Sequence, residues 1–213
     1  MYTKTKTYDI IIKYSDIRNK SRKDGLYLKR LISVCLILCF VVSFSACSNQ
    51  MNPAENALIA IKNMDMDAFF SCMTADSETA LSRIRGMYDT DISTDERETL
   101  RSLYGLIRYT MGEEIEGADG TKTVSVSVKL PDMARVKTLA EKKILVSAST
   151  ANDAVSEMLA SGEIEKNYML EAVWTIKLNE EDGAWRIDYA DKDNEAFVAD
   201  LYLSEMFAFF AQY

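Results

Sequence analysis

The sequence contains no histidine, and it has few cysteines, prolines and glycines. Of its 213 residues, none is His, four are Cys, two are Pro and eight are Gly. The absence of His excludes hydrolases that use an imidazole base, and it excludes His-ligated zinc and haem sites. The cysteines Cys35, Cys39, Cys47 and Cys72 lack the spacing of a disulfide framework or a four-thiolate zinc site. We therefore predict no metal site and no cofactor.

Long apolar runs are also scarce, with one exception near the N-terminus. Residues 31–46 form an uncharged, mostly apolar run directly after Lys29-Arg30. A membrane-spanning helix needs roughly 20 apolar residues, so this run is short for a span. A short apolar run preceded by positive charge is typical of secretory signal peptides. We therefore interpret residues 1–46 as a basic n-region and a signal peptide, and exclude them from the fold prediction.

The end of this run carries a cysteine in a specific context. The small residues Ser45 and Ala46 precede Cys47 directly, and Phe44 stands three places before it. This pattern resembles the lipobox of bacterial lipoproteins, although that family usually has Leu where Phe44 stands. The resemblance implies that Cys47 is the lipidation site, carrying a diacylglyceryl group and a further acyl chain such as palmitate on its amine. Two or three chains hold a protein on a bilayer far better than one. Residues 47–52 would then be a polar tether.

Other interpretations of the N-terminus stay open. One is an uncleaved anchor helix with an incidental Cys47, and another is an ordinary cleaved signal peptide. The 27 residues before Leu28 are long for a lipoprotein n-region. Either translation starts at position 28, or residues 1–27 form a basic, structureless cytoplasmic tail. Every one of these interpretations exports the rest of the chain, so we expect it at the cell membrane, on the extracytoplasmic face.

The sequence beyond residue 46 is strongly acidic. Nine of the 25 basic residues and three of the 33 acidic residues lie before Cys47, which leaves 16 basic and 30 acidic residues and a net charge of −14. Such a surface repels phosphate backbones, so we predict no nucleic-acid partner. Cys72 lies in an apolar stretch, and we predict a small buried side chain there.

The hydrophobic pattern after residue 52 predicts a group of helices and then two hairpins. Helix-type spacing predicts helices that begin after Asn52, near Asp65 and after Ser93. Period-two alternation predicts strands at 109–116, 124–130, 168–178 and 185–189, with a turn at 179–183. A helical segment is predicted at 133–162 between the hairpins, with helices capped by Asp132 and Thr150 and an end at Gly162. A single helix, apolar nearly all round, is predicted from Phe197 to Tyr213. The pattern indicates one α+β domain at 53–213, with a curved antiparallel sheet of about four strands packed against N-terminal helices and the C-terminal helix.

Two segments resemble a known superfamily. Residues 54–65, Ala-Glu-Asn-Ala-Leu-Ile-Ala-Ile-Lys-Asn-Met-Asp, resemble the opening helix of nuclear-transport-factor-two-like (cystatin-like) domains. The hairpin from Trp174 to Tyr189, with Asp-Gly-Ala-Trp-Arg-Ile-Asp at 182–188, resembles their final strands. The resemblance implies a cone-shaped fold with a pocket between helices and sheet, here with a helical insertion at 133–162. Bacterial lipoproteins with such domains are mostly of unknown function.

Few side chains are candidates for chemistry. Glu171 and Asp188 fall at outward-facing strand positions beside Lys177 and Arg186, and we interpret them as solvated cross-strand partners. The alternative is a buried acid with a raised pKa. Three acidic motifs, at 65–67, 89–91 and 191–195, hold the oxygen ligands that calcium prefers, but none continues as a calcium-binding loop. We interpret them as helix caps and turns.

These observations together predict a lipid-anchored cell-envelope protein that acts as a non-catalytic binding or accessory module. Its partner would be another envelope protein, a wall polymer or a small apolar ligand, besides the membrane itself. The alternatives are an enzyme that uses a cone-shaped pocket and a structural spacer lipoprotein. The C-terminal aromatic residues Phe209, Phe210 and Tyr213 either pack in the core or form a partner-binding surface. The second alternative is open because these three side chains are not all expected to point inward along with Phe207.

Overall fold

The computed structural model describes residues 52–118, 120–147 and 150–213. The predicted signal peptide at 1–46 and the predicted lipidation site at Cys47 lie outside the described residues, as does most of the tether. Residues 51–213 form one compact unit. Within the described part of the chain, no helix is long and apolar enough to cross a lipid bilayer.

Four α-helices precede the sheet, and local capping explains where they begin. The Asn52 Oδ1 atom accepts the Ala54 N–H at 2.9 Å, and the Asp65 Oδ1 atom accepts the Ala68 N–H at 3.0 Å. Ser93 and Glu96 form the capping box that their spacing predicts. The helices are α1 (Pro53–Asn63), α2 (Met66–Ser71), α3 (Glu78–Gly86) and α4 (Thr94–Tyr104), with a 3₁₀ turn at Ala75–Ser77 and a π turn at Met87–Asp91.

Four antiparallel strands form one open sheet in the order β1-β2-β3-β4. Val126 lies opposite Trp174 at its centre, and both side chains are fully buried against the helices. Val173, which directly precedes Trp174 in the chain, lies on the other face and is 67% exposed. The predicted α+β class with a four-stranded antiparallel sheet is confirmed. The strands are β1 (Arg108–Glu116), β2 (Lys122–Pro131), β3 (Met169–Glu181) and β4 (Ala184–Ile187).

The turn between β3 and β4 is tighter than predicted. The sequence predicts a turn from Asn179 to Gly183, but Asn179 pairs with Arg186 and belongs to the sheet. Asp182 and Gly183 alone form the turn, with φ of 52° and 77°. Two consecutive positive φ values match the right-handed twist of a hairpin. The strand is therefore longer than the alternation of apolar side chains shows.

Three helices lie between β2 and β3 in the chain. The Asp132 Oδ1 atom accepts the Arg135 N–H at 3.0 Å, and Thr150 forms a capping box with Asp153. Both caps are predicted correctly. Gly162, predicted as a helix end, has φ of 66° and is followed at once by a short helix that the sequence analysis missed. The three helices are α5 (Met133–Ser147), α6 (Ala151–Ala160) and α7 (Glu163–Asn167).

The C-terminal segment consists of two helices, and the prediction of one continuous helix is wrong. A 3₁₀ turn at Lys192–Asn194 leads into α8 (Glu195–Leu201), and α9 (Leu203–Gln212) follows. Tyr202 separates them with φ of 52°. Helix α9 contacts α3, α5, α6 and the π turn. These contacts bury its large apolar side chains, which are Leu203, Met206, Phe207, Phe209 and Phe210, whereas Ala208 and Ala211 are exposed.

The aromatic residues of α9 are almost all in the core. Phe207, Phe209 and Phe210 are each at most 1% exposed, whereas Tyr213 is 47% exposed. Phe209 contacts Phe210 edge-on, with ring centroids 5.7 Å apart. Of the two alternatives in the sequence analysis, core packing is correct for the three phenylalanines. They are not available as a partner-binding surface.

Candidate functional site

The strand residue Glu171 is a solvated ion-pair partner. Its Oε1 atom accepts a hydrogen bond from the Lys129 Nζ atom at 2.7 Å, and this bond lowers the pKa of Glu171. Lys177, the predicted neighbour, instead lies 3.2 Å from a carboxylate oxygen of Asp191 and 3.2 Å from one of Asp193. Glu171 therefore has the solvated role that the sequence predicts, with a different partner.

Asp188 also has a structural role. Its Oδ1 atom accepts the Ala190 N–H at 3.0 Å and lies 3.4 Å from the Ser77 Oγ atom, which donates to it. Arg186, the predicted neighbour, pairs with Glu181, with 3.6 Å between Nε and Oε2. The two carboxylates singled out by sequence thus make separate local contacts, and they do not lie together in one site.

The acidic motifs act as caps and turns. Asp65 caps α2, and the Asp191 Oδ1 atom accepts the Asp193 N–H at 2.9 Å. This backbone hydrogen bond, followed by the contact with Lys177, lowers the pKa of Asp191. Within the described residues, no three Asp, Glu or Cys side chains lie close enough together to hold a metal ion.

Cys72 is a free cysteine on the edge of the core. It is 9% exposed, and its Sγ atom donates to the Ala68 carbonyl oxygen at 3.3 Å. Burial raises the pKa of the thiol, so little thiolate is present at neutral pH. The position fits the predicted small buried side chain and does not suit a nucleophile.

Aromatic side chains fill the space between the helices and the sheet. Trp174 and Phe197 pack edge-on with ring centroids 5.3 Å apart, and the Trp174 Nε1 atom donates to the Asp200 Oδ2 atom at 2.8 Å. The Tyr104 hydroxyl donates to the Leu201 carbonyl oxygen at 2.8 Å, and burial raises the pKa of Tyr104 well above its usual value. Where side-chain burial is described, no Asp, Glu, Lys or Arg is fully buried. The region that the superfamily resemblance assigns to a pocket is therefore packed.

A groove on the surface is the best candidate for a binding site. It lies between helices α2 and α3 on one side and the β3–β4 hairpin on the other, and its volume is about 610 Å³. Phe70, Met73 and Leu81 form an apolar floor, and each of them is at most 8% exposed. We call this site the hairpin groove.

The rim of the hairpin groove carries charges of both signs. The Arg186 Nη1 atom donates to the Ser71 carbonyl oxygen at 2.7 Å, and the two Glu181 carboxylate oxygens accept the Ala75 N–H at 3.1 and 3.2 Å. These bonds tie the hairpin to the chain after α2. The parallel bridge between Met73 and Ile187 strengthens the same junction. The groove therefore has one rigid wall.

Arg85 forms the other wall and is held differently. Its guanidinium carbon lies 4.4 Å from the centroid of the Phe70 ring, in a cation–π contact. Among the described side chains and backbone groups, none forms a hydrogen bond or an ion pair with Arg85. Its N–H groups are therefore available to an incoming carboxylate, phosphate or carbonyl oxygen.

No pattern in the sequence predicts the hairpin groove. Phe70 and Arg85 belong to different helices, and Glu181 is distant from both in sequence. No spacing rule connects such residues, so no motif could have indicated the site. The only available signal was the adjacent Phe69-Phe70 pair, of which one ring enters the core and the other forms the groove floor.

No protein-family model, no curated protein and no solved structure matches the chain.

Proposed function

We propose that this protein is a lipid-anchored module on the extracytoplasmic face of the cell membrane, and that it binds a segment of a partner protein in the hairpin groove. The observation that carries the anchor is the position of Cys47, directly after Ser45-Ala46 at the end of an apolar run. An apolar run with basic residues before it and small residues at its end directs export. A cysteine at that boundary receives the lipid.

The proposed fold type is the cystatin-like cone. Helix α1 contacts β4 and α4 on the face of the sheet that carries Val126 and Trp174, and a short second helix follows it after a break. These features support the resemblance. Helices α5–α7 lie between β2 and β3 as a helical insertion. An experimental structure in which the sheet does not bend around α1 would contradict this fold type.

The hairpin groove supports binding rather than catalysis. An apolar floor with a charged rim is common at protein–protein contacts, and Arg is frequent among the residues that dominate their affinity. Arg85 lies at the groove with unused donors, and Phe70 holds it in place. The rim carboxylate Glu181 accepts the Ala75 N–H and pairs with Arg186, so it is engaged in structural contacts.

The lipid anchor is tested by metabolic labelling with a fatty-acid analogue. The parent chain and Cys39→Ser, a matched change inside the apolar run, are expected to incorporate label equally, and Cys47→Ser is expected to incorporate none. Membrane fractionation of the same cells should find the Cys47→Ser chain outside the membrane pellet or as unprocessed precursor. Equal labelling of Cys47→Ser and the parent chain would disprove the anchor.

The groove is tested by crosslinking on intact cells with two charge-reversed variants. Arg85→Glu is expected to lose the crosslinked partner, whereas Arg83→Glu on the same helix, an exposed residue that does not line the groove, is expected to keep it. Capture of a glycan or lipid instead of a protein would assign the groove to a wall polymer or a small apolar ligand. Equal crosslinking by both variants would show that the groove is not the site.

A further inference from the structure

Helix α5 differs in charge from the rest of the molecule. It carries four basic residues, Arg135, Lys137, Lys142 and Lys143, against one acidic residue, Glu141. Residues 47–213 as a whole have a net charge of −14. Lys142 is exposed and has no ion pair among the described residues. The helix is thus a basic element on an acidic protein.

The last residues of α5, from Leu145 to Ser147, are exposed, whereas Ile144 directly before them packs against the core. The three buried residues of the helix, Met133, Val136 and Ala140, all lie in its first half. Leu145 and Val146 at its end are 86% and 89% exposed, more than any other large hydrophobic side chain that the structure describes. Two adjacent, almost fully solvated aliphatic residues carry a cost in water that contact with an apolar phase would remove.

We infer that the C-terminal end of α5 docks onto an anionic lipid bilayer, with Leu145 and Val146 at the level of the headgroups. A helix end with basic residues beside exposed apolar ones is typical of interfacial binding. Lys142 then faces negatively charged headgroups, and the aliphatic side chains enter the boundary with the acyl chains. Lys137 and Lys143 pair with Glu141 and Glu157 within the protein. This inference rests on the proposed function, because the anchor is what brings the molecule to a membrane.

Tether length and charge support lipid as the occupant. Asn52 is five residues further along the chain than Cys47, and at about 3.3–3.6 Å per residue this segment reaches at most about 18 Å. A lipid on Cys47 therefore holds the acidic unit close to a surface of like charge. Repulsion disfavours most orientations of that unit, and the basic α5 end favours the orientation that places it on the bilayer.

The test uses the full chain, purified with its lipid and reconstituted into vesicles. Leu145→Cys and the control Val173→Cys, an exposed aliphatic residue on the outer sheet face, are each labelled with an environment-sensitive fluorophore. Parent chain treated in the same way gives the background from Cys72. We expect a blue shift of emission at position 145 on vesicles of phosphatidylglycerol and phosphatidylcholine in equal parts, a smaller shift on phosphatidylcholine alone, and no shift at position 173. Adding Lys142→Glu to Leu145→Cys should reduce the shift, and so should high salt.

Absence of a shift at position 145, or an equal shift at position 173, overturns the inference. A shift that appears on native membranes but not on lipid vesicles assigns the helix end to a membrane protein and also overturns it. Mass spectrometry of the Cys47 peptide from the same sample separates the two proposals. If Cys47 is lipidated and position 145 shows no shift, the anchor stands and the docking of α5 is disproved. If Cys47 is unmodified, the anchor is disproved, and the fluorophore at position 145 then tests whether α5 docks onto added vesicles.

Discussion

Asn194 is fully buried beside β3, next to the pair Leu178–Ile187 at which β4 ends. Its Oδ1 atom accepts the Lys177 N–H at 2.7 Å, and its Nδ2 atom donates to the carbonyl oxygens of Lys177 at 3.1 Å and Asp188 at 2.8 Å. One amide side chain thus replaces a missing strand partner. Buried backbone groups need such partners, because leaving them unpaired costs free energy.

Replacing Asn194 by Ala is therefore expected to destabilise the protein. The change leaves the backbone groups of Lys177 and Asp188 without their partners, and we expect a loss of about 2–4 kcal/mol in the free energy of unfolding. Urea denaturation of residues 48–213, followed by circular dichroism, measures it. The neighbouring Asp193→Ala removes a 65% exposed carboxylate and should cost at most about 1 kcal/mol. Equal losses for the two variants would contradict the role of Asn194.

At the scale of elements, backbone conformation decides where helices and strands end. Met64 and Tyr202 have φ of 52° and stop α1 and α8, and Asp182-Gly183 closes the β3–β4 hairpin. Positive φ suits Gly and is strained for most other residues. Glycines at such turns and glycines in helices therefore respond in opposite ways to added side chains.

Alanine substitutions at Gly183 and Gly86 are expected to change stability with opposite signs. Gly183 has φ of 77°, so Gly183→Ala should destabilise the hairpin by about 1 kcal/mol. Gly86 ends α3 with helical φ of −57°, and a Cβ there meets no atom within 4 Å. Gly86→Ala should therefore stabilise the protein by about 0.5–1 kcal/mol. Thermal and urea unfolding of both variants measure the difference, and a shift in the same direction would refute the argument.

At the scale of the whole molecule, buried phenols make stability depend on alkaline pH. Burial, and then the charge of Glu205, raises the pKa of Tyr189 above its usual value near 10. A raised folded-state pKa contributes stability that is fully present below the unfolded-state pKa. That stability is lost as the pH rises through the folded-state value, because the unfolded chain releases the proton first.

Above about pH 10, we expect the free energy of unfolding of Tyr189→Phe to fall less steeply with rising pH than that of the parent chain. The parent chain should lose up to about 1.4 kcal/mol per pH unit more than the variant does, since one buried phenol no longer titrates. The measurement is the urea midpoint of each chain between about pH 8 and 11, a range that includes the usual pKa of tyrosine. Tyr213→Phe, which removes the hydroxyl of a residue that is 47% exposed, is the control for the loss of a phenol. Identical slopes in all three chains would exclude Tyr189 as the cause.

Local signals determined much of this protein by sequence alone. The caps at Asn52, Asp65, Ser93 and Thr150 act within four residues, so their side chains place the helix starts wherever the rest of the chain lies. Period-two alternation likewise placed β2, because each apolar residue there faces the core. The α+β class follows from such short-range patterns.

Only the tertiary structure decided the break at Tyr202, the burial of all three α9 phenylalanines and the existence of the hairpin groove. Each depends on contacts between residues far apart in sequence, such as Arg85 with Phe70 or Glu181 with the Ala75 backbone. An apolar side chain prefers burial at every position in the chain. The packing of the helices and strands decides which neighbours bury it. That packing placed Arg85 over an apolar floor and left Leu145 and Val146 in solvent.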